Sequence, residues 1–367
     1  MKILLVITGL GMGGAERQVC DLADQFSALN HDVLLVSLNS DLINKPRNKG
    51  VKLVSIDMKK TFFGFFISFL KMRKIILEFK PDVIHSHMVH ANIFTRLLRV
   101  FTPINKLICT AHSTNEGGWL RMKAYCYTDF LADISTNVSE EAVEAFILQG
   151  AVTREKMIAV HNGINIDLFD FNDQSRKNVR SLLSINDQTP LILAVGRLVT
   201  AKDYPNLLDA FSKIDTTVEL PHLAIIGVGQ LHAELKLLAE NLEIIDRVHF
   251  LGIQRDIPSF LSAADLFVLS SAWEGFGLVV AEAMACRRVV VATDCGGVSE
   301  VISNFGFLVK PKDSQALRYA MESALSLNDK ERSSIGESAR NFIVSNYSLK
   351  SIANKWISLY SVNVNEC

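Results

Sequence analysis

Short, continuous apolar runs recur along this chain, and an amphipathic stretch follows almost every one. Up to residue 163 they read KILLVIT, VLLVSL, VKLVSI, DVIHSH, KLICTAH, ADISTNV and MIAVHNG. Apolar runs without a polar alternation mark strands buried on both faces, and such strands belong to parallel sheets. The stretches between them, such as GAERQVCDLADQFSAL and SEEAVEAFILQG, carry a helical period. A polar stretch, FDFNDQSRKNVRSLLSINDQTP, then reads as a linker ending at Pro190. The alternation restarts with LILAVGR, HLAIIGVG, RVHFLG, ADLFVLSS and RVVVATD, and helical stretches continue through residue 360. A chain of 367 residues suits two domains. The pattern predicts an α/β protein with two doubly wound, Rossmann-like domains in tandem. Their expected bounds are 1–170 and 171–347, with a helix at about 348–367 packing back on the first. Ligands of such folds bind outside the carboxyl ends of the strands, so the expected site is the cleft across which the domains face each other.

Lys plus Arg number 38 and Asp plus Glu 39, a balance that gives no support to nucleic-acid binding. The six cysteines form no CxxC pair, and no His/Cys spacing reads as a zinc site. We read them as reduced thiols of a cytoplasmic protein. The opening MKILLVITGL reads as a buried strand, because its apolar run is too short for a secretion signal. Nowhere do about 18 apolar residues follow one another, as a spanning helix requires.

The first strand leads into TGLGMGGAER, where Gly9, Gly11 and Gly14 have the G-x-G-x-x-G spacing of dinucleotide sites. That fingerprint also calls for an acid at the end of the second strand. Here Asn39 and Ser40 come first and Asp41 is the nearest carboxylate, so an NAD-dependent oxidoreductase rests on this loop alone. The narrower expectation is an anion held at the start of the following helix, against Gly13 and Gly14.

In the second half, AVGRLVTAKD places Arg197 at a strand end and Lys202 five residues on. Two fixed cations there suit a diphosphate; for Lys202 the alternative is a solvated surface cation. Further on, SSAWEGFGLVVAEAMAC carries Glu274 and Glu282 eight positions apart. Glu274 follows a strand, Gly275 and Gly277 turn the chain, and a helix begins near Phe276 and Leu278. Its first N–H groups form a second seat for phosphate. Glu282 lies in an apolar helix, where a carboxylate needs hydrogen-bond donors such as a ribose diol. The alternative is a capping glutamate and a structural one. No D-x-D occurs in the chain.

EGFGLVVAEAMA followed by VVVATDCGG, together with VGRLVTAKD, AVHNGIN and GLGMGGAER, resembles glycosyltransferase family 4 over nearly the whole chain. The resemblance implies a GT-B fold and a retaining transfer from a nucleotide-sugar, with no metal and no cofactor. It implies that Arg197 and Lys202 bind the diphosphate, that Glu274 lies near the donor sugar and that Glu282 holds the ribose. Gly14 matches the first-domain loop glycine, and His112 in CTAHSTNEGG matches a histidine close to the reacting sugar. His85 and His87 read as structural support. Base recognition is expected near residues 250–256. One departure stands out: the family commonly reads EAMACGxPVV, and here Arg287, Arg288 and Val289 follow EAMAC.

From Ile43 to Lys106 thirteen basic residues face three acids, Asp57, Glu78 and Asp82. Within that region lies KKTFFGFFISFLKMRK, aromatic, apolar and flanked by cations. It suits an interfacial helix on an anionic membrane surface, and equally a buried helix with a basic outer face. The first reading makes the acceptor a lipid-linked saccharide at the inner membrane face, as in lipopolysaccharide or exopolysaccharide assembly. UDP is the expected nucleotide. A nucleotide-sugar epimerase of the same architecture, which needs no acceptor, is the nearest rival, and a non-enzymatic sugar-nucleotide sensor is a more distant one.

Overall fold

The structure, a computed structural model, describes residues 1–59, 61–215 and 220–362. Its elements in chain order begin β1 (Lys2–Ile7), α1 (Gly14–Ala28), β2 (Asp32–Ser37), β3 (Lys52–Ser55), α2 (Phe62–Phe79), β4 (Val83–His87), α3 (Val89–Arg99) and β5 (Leu107–Thr110). They continue α4 (Trp119–Thr128), β6 (Ile134–Asn137), α5 (Glu140–Leu148), β7 (Met157–Ala159), α6 (Asp173–Leu182), β8 (Leu191–Val195), α7 (Tyr204–Ser212), β9 (His222–Ile226), α8 (His232–Asn241) and β10 (Val248–Phe250). The remainder are α9 (Ile257–Ala263), β11 (Leu266–Leu269), α10 (Leu278–Ala285), β12 (Val289–Thr293), α11 (Val298–Ile302), β13 (Phe307–Val309), α12 (Ser314–Leu325), α13 (Asp329–Tyr347) and α14 (Leu349–Ser361).

Two compact units result. The first is Met1–Gly163 with the chain from Leu349 onward, and the second is Ile164–Ser348. Unit 1 holds a seven-stranded parallel sheet in the order β3-β2-β1-β4-β5-β6-β7. In β1, side chains alternate between two cores. Ile3, Leu5 and Ile7 meet α1 and α14 through Val19, Phe26, Ile352 and Trp356. Leu4 and Val6 meet α2 and α3 through Met72, Ile76, Phe94 and Leu98. Burial on both faces is why the strand reads as an unbroken apolar run. Residues 363–367 of the expected C-terminal helix lie outside the described residues.

Unit 2 holds a six-stranded parallel sheet, β10-β9-β8-β11-β12-β13. Strand order reverses between β1 and β4 in one unit and between β8 and β11 in the other. At such a point the two following loops leave toward opposite faces of the sheet and open a crevice at the strand ends.

Two expectations need correction. The polar stretch read as a linker contains α6, capped by the Asn172 side chain on Ser175 N at 2.8 Å. It is polar because it docks by charge: Arg176 Nη2 and Arg180 Nη1 bond Asp265 at 2.7 and 3.2 Å. The basic region from 43 to 106 is also less basic at the surface than its count. Arg96 is fully buried and pairs with Asp129 at 3.0 Å, Arg99 pairs with Asp133, and Lys106 donates to carbonyls of α14. Lys60 lies outside the described residues.

Candidate active site

At the switch point of unit 2, the chain leaving β8 passes Gly196 and Arg197 and then makes a short turn, Thr200–Lys202. The chain leaving neighbouring β11 carries Ser270, Ser271 and Glu274. Adjacency of the two strands brings together side chains 72 residues apart: Lys202 Nζ bonds Glu274 Oε1. Ser271 Oγ donates to the same carboxylate oxygen at 2.8 Å, and Ser270 Oγ donates to Lys202 O at 2.8 Å. The pair is mostly buried, with 19% and 14% of the two side chains exposed. Tyr204 donates to Gly196 O at 3.1 Å. Burial, and secondarily the charge of Glu274, push its phenol pKa up, so it stays a neutral donor. Arg197 is exposed, and its guanidinium has no ion-pair partner among the described residues.

The turn from Glu274 to α10 depends on glycine. Gly277 caps the helix at φ 82°, in the left-handed region. Gly296, at φ 59°, lets the loop after β12 approach so closely that a Cβ there would lie 2.2 Å from Glu274 O. Gly297 N donates to Gly275 O at 3.0 Å. Phe276 is buried with its ring against Tyr347, at 5.5 Å between centroids, so it fixes the turn rather than offering a side chain. Leu278 and Val279 then open α10, where the first N–H groups lack helical acceptors. Glu282 is 2% exposed on the same helix. The structure therefore brings Lys202 and Glu274 into contact, with Arg197 on the loop that carries Lys202 and Glu282 on the helix that Glu274 precedes.

In unit 1, Gly13 is the cap of α1 and Gly14 its first residue. The carboxylate of Glu16 folds over them: a Cβ on Gly13 would meet its Oε2 at 2.1 Å. An anion at this helix end would have to displace that carboxylate.

His112 follows β5. Its N–H donates to Glu116 Oε1 at 2.8 Å, and its Nε2 lies 3.1 Å from His87 Nδ1 at the end of β4. The His87 ring packs tilted against that of His85, 4.0 Å between centroids, and His85 bonds Tyr360 Oη and Thr110 Oγ1, each at 2.6 Å. Burial pushes the His112 pKa down to about 4 and lowers those of His85 and His87 well below the usual histidine value. All three rings are neutral near pH 7. Sequence reasoning missed the His87–His112 contact and the role of Gly296. The first follows from parallel pairing of β4 with β5, where His87 sits beside Thr110; the second had a signal in the paired glycines of TDCGG.

Two family profiles cover most of the chain: "Glycosyltransferase Family 4" matches residues 12–168 and "Glycosyl transferases group 1" matches residues 175–342. The chain belongs to this family of glycosyltransferases, and it has the GT-B fold of two Rossmann-like domains. It is 27% identical, over 96% of its length and 95% of the relative's, to an uncharacterized glycosyltransferase of Methanocaldococcus jannaschii. It is 24% identical to the N-acetylgalactosamine-N,N'-diacetylbacillosaminyl-diphospho-undecaprenol 4-alpha-N-acetylgalactosaminyltransferase of Campylobacter jejuni, over 92% and 94% of the two chains. The solved structure of Anabaena Alr3699/HepE in complex with UDP superimposes with a TM-score of 0.85 at 22% identity, over 98% of this chain and all of that one. The protein is therefore a glycosyltransferase, and neither the epimerase nor the oxidoreductase alternative gains support from these matches.

Proposed function

We propose that this glycosyltransferase transfers a hexosyl or N-acetylhexosaminyl group from a UDP-sugar to a lipid-linked saccharide, with retention and without a metal ion. The observation that carries the reading is the Lys202–Glu274 pair at the switch point of unit 2. Lys202 is the cation for a diphosphate, and Glu274 neutralises it while the site holds no donor. When the diphosphate arrives, Lys202 turns to phosphate and Glu274 is released toward a sugar hydroxyl. Arg197 adds a bidentate grip, and the first N–H groups of α10 add the positive end of a helix. Glu282 holds the ribose diol.

The acceptor oxygen attacks the anomeric carbon from the face that the nucleotide leaves. The acceptor proton passes to the departing diphosphate, whose growing charge Arg197 and Lys202 stabilise. His112, neutral near pH 7, hydrogen-bonds the transferring sugar without adding charge. Gly13 and Gly14 serve phosphate or acceptor once Glu16 moves aside. UDP as the nucleotide rests on the Anabaena complex, and the lipid-linked acceptor on the Campylobacter relative.

Helix α2 supports a membrane-bound acceptor. Only Ser68, Met72 and Ile76 are buried along its length. Phe62 is 84% exposed, Phe63 78%, and Phe66, Ile67 and Leu70 about half. An ordinary core helix does not leave such a face in water. With Lys59, Arg73 and Lys74 around it, the face suits the headgroup layer of an anionic membrane. No described helix is long and apolar enough to cross one.

Thermal unfolding with UDP, GDP, ADP and NAD tests the donor assignment. UDP alone should raise Tm, and Arg197→Ala should abolish the rise; a response to NAD alone would overturn the reading. Flotation with anionic vesicles tests the membrane contact, which is refuted if wild type and Phe62→Ser/Phe63→Ser stay equally unbound at low salt.

A further inference from the structure

Two guanidinium groups of unit 2, those of Arg288 and Arg332, have at most a shared and distant carboxylate partner. Asp265, just before β11, is the carboxylate around which the arginines of this region gather. It already accepts from Arg176 Nη2 at 2.7 Å, from Arg180 Nη1 at 3.2 Å and from the N–H of Leu191 at 2.8 Å. Arg332 Nη1 stays 3.8 Å from it, and Arg332 Nε is buried with no hydrogen-bond partner among the described residues. Arg288 has no carboxylate within ion-pair distance among the described residues. Its Nε donates to Cys286 O at 2.9 Å and its Nη1 to Ala264 O at 2.7 Å. Its guanidinium lies 4.8 Å over the ring of Phe171. Burial above all, with the charge of Arg176 beside it, brings its pKa down to about 10, against the opposing pull of Cys286 and Asp265.

Both arginines line a cavity of about 530 Å³. Its carboxylates have answers of their own. Asp170 and Glu337 are both bonded by Arg287, and Asp329 sits in the first turn of α13, where the helix end is positive. The size suits a small organic ligand. The cavity adjoins the C-terminal end of α10, the helix whose first turn belongs to the donor site. Arg287, which follows that helix, holds φ 61° in the left-handed region, a conformation that a non-glycine residue adopts under strain.

We propose that this cavity is a second anion site, in which Arg288 and Arg332 bind a phosphate group, either inorganic phosphate or the phosphate of a monoester whose body lies along Phe171. Arginine suits the task because its planar fork grips phosphate oxygens in pairs. The site is separate from the donor site and does not depend on what that site binds.

The test is thermal unfolding of the full chain, titrated with inorganic phosphate or with a hexose 6-phosphate against chloride at equal ionic strength. A saturable rise in Tm of about 3 °C or more is expected. Arg197→Ala should leave it unchanged and Arg332→Gln should weaken it about tenfold. Because Arg332 also bonds Leu325 O and Leu327 O, a second variant, Ser333→Glu, places a carboxylate in the cavity from an exposed helix position and should abolish the rise. Tighter binding of the hexose phosphate identifies a monoester as the ligand, and equal binding identifies phosphate itself. No saturable rise from either probe overturns the site, as does a rise that Arg197→Ala removes or that survives both Arg332→Gln and Ser333→Glu.

Discussion

The two sheets of this protein share a strand order and a switch point, yet the residues at their carboxyl edges differ in kind. In unit 2 the edge carries fixed charge: Arg197, Lys202 and Glu274, with Lys202 and Glu274 in contact. In unit 1 it carries histidines, and burial keeps His85, His87 and His112 neutral. Burial also raises the pKa of Glu116, which receives the His112 N–H and the Tyr125 hydroxyl. One scaffold thus supports a site that answers charge and a site that only exchanges hydrogen bonds. A glycosyl transfer uses both kinds: the leaving diphosphate gains charge, whereas the sugar and acceptor hydroxyls stay neutral until late.

If that division is right, removing charge from unit 2 has the largest effect. Lys202→Ala or Arg197→Ala should lower kcat by about 10²–10³-fold, the usual loss when one preorganised stabiliser of transition-state charge is removed. Steady-state kinetics with a UDP-sugar checks this, and a loss confined to KM would mean that the cations only hold the ground state. Glu274→Gln sharpens the comparison, because its two effects have opposite signs. Lys202 loses its internal partner, so UDP should bind about tenfold tighter, in line with one charge-assisted hydrogen bond. Turnover should nonetheless fall, since the carboxylate proposed to meet the sugar is gone. Calorimetry and kinetics on the same variant separate the two, and weaker UDP binding would refute the proposed exchange of partners.

Much of this division could be read in the sequence, and the part that could not has a physical cause. Both sheets were visible because strands covered on two faces are apolar throughout. Arg197, Glu274 and Glu282 were visible because charge at a strand end or in an apolar helix is costly without a use. The contact of Lys202 with Glu274 was not, because it depends on β8 lying beside β11, a fact of strand order. Helix α6 hid as a linker because it docks through Arg176 and Arg180 on Asp265, and ion pairing leaves no apolar stripe. Strand β13 was missed because it is three residues long and partly exposed, so its apolar run is too short to register. For α2, composition left two readings open, and the exposure of its aromatic face, which supports the interfacial proposal, could not be read from the sequence.

The smallest expected effect is on stability, and it belongs to unit 1. The pKa of His112 is about 4 in the folded chain against 6.5 for an ordinary histidine. Between those values the unfolded chain binds the proton and the folded one does not, so stability rises with pH across that window. The contribution is complete above about pH 6.5 and is lost as pH falls toward 4, with His85 and His87 acting in the same direction. Chemical denaturation at a series of pH values should show this slope, and His112→Asn should flatten part of it, because asparagine keeps a hydrogen-bonding group but cannot take up the proton. Arg197→Ala should leave the slope as it is. A slope that His112→Asn does not change would mean that the ring is protonated in the folded chain, and the neutral character assigned to this edge of unit 1 would be wrong.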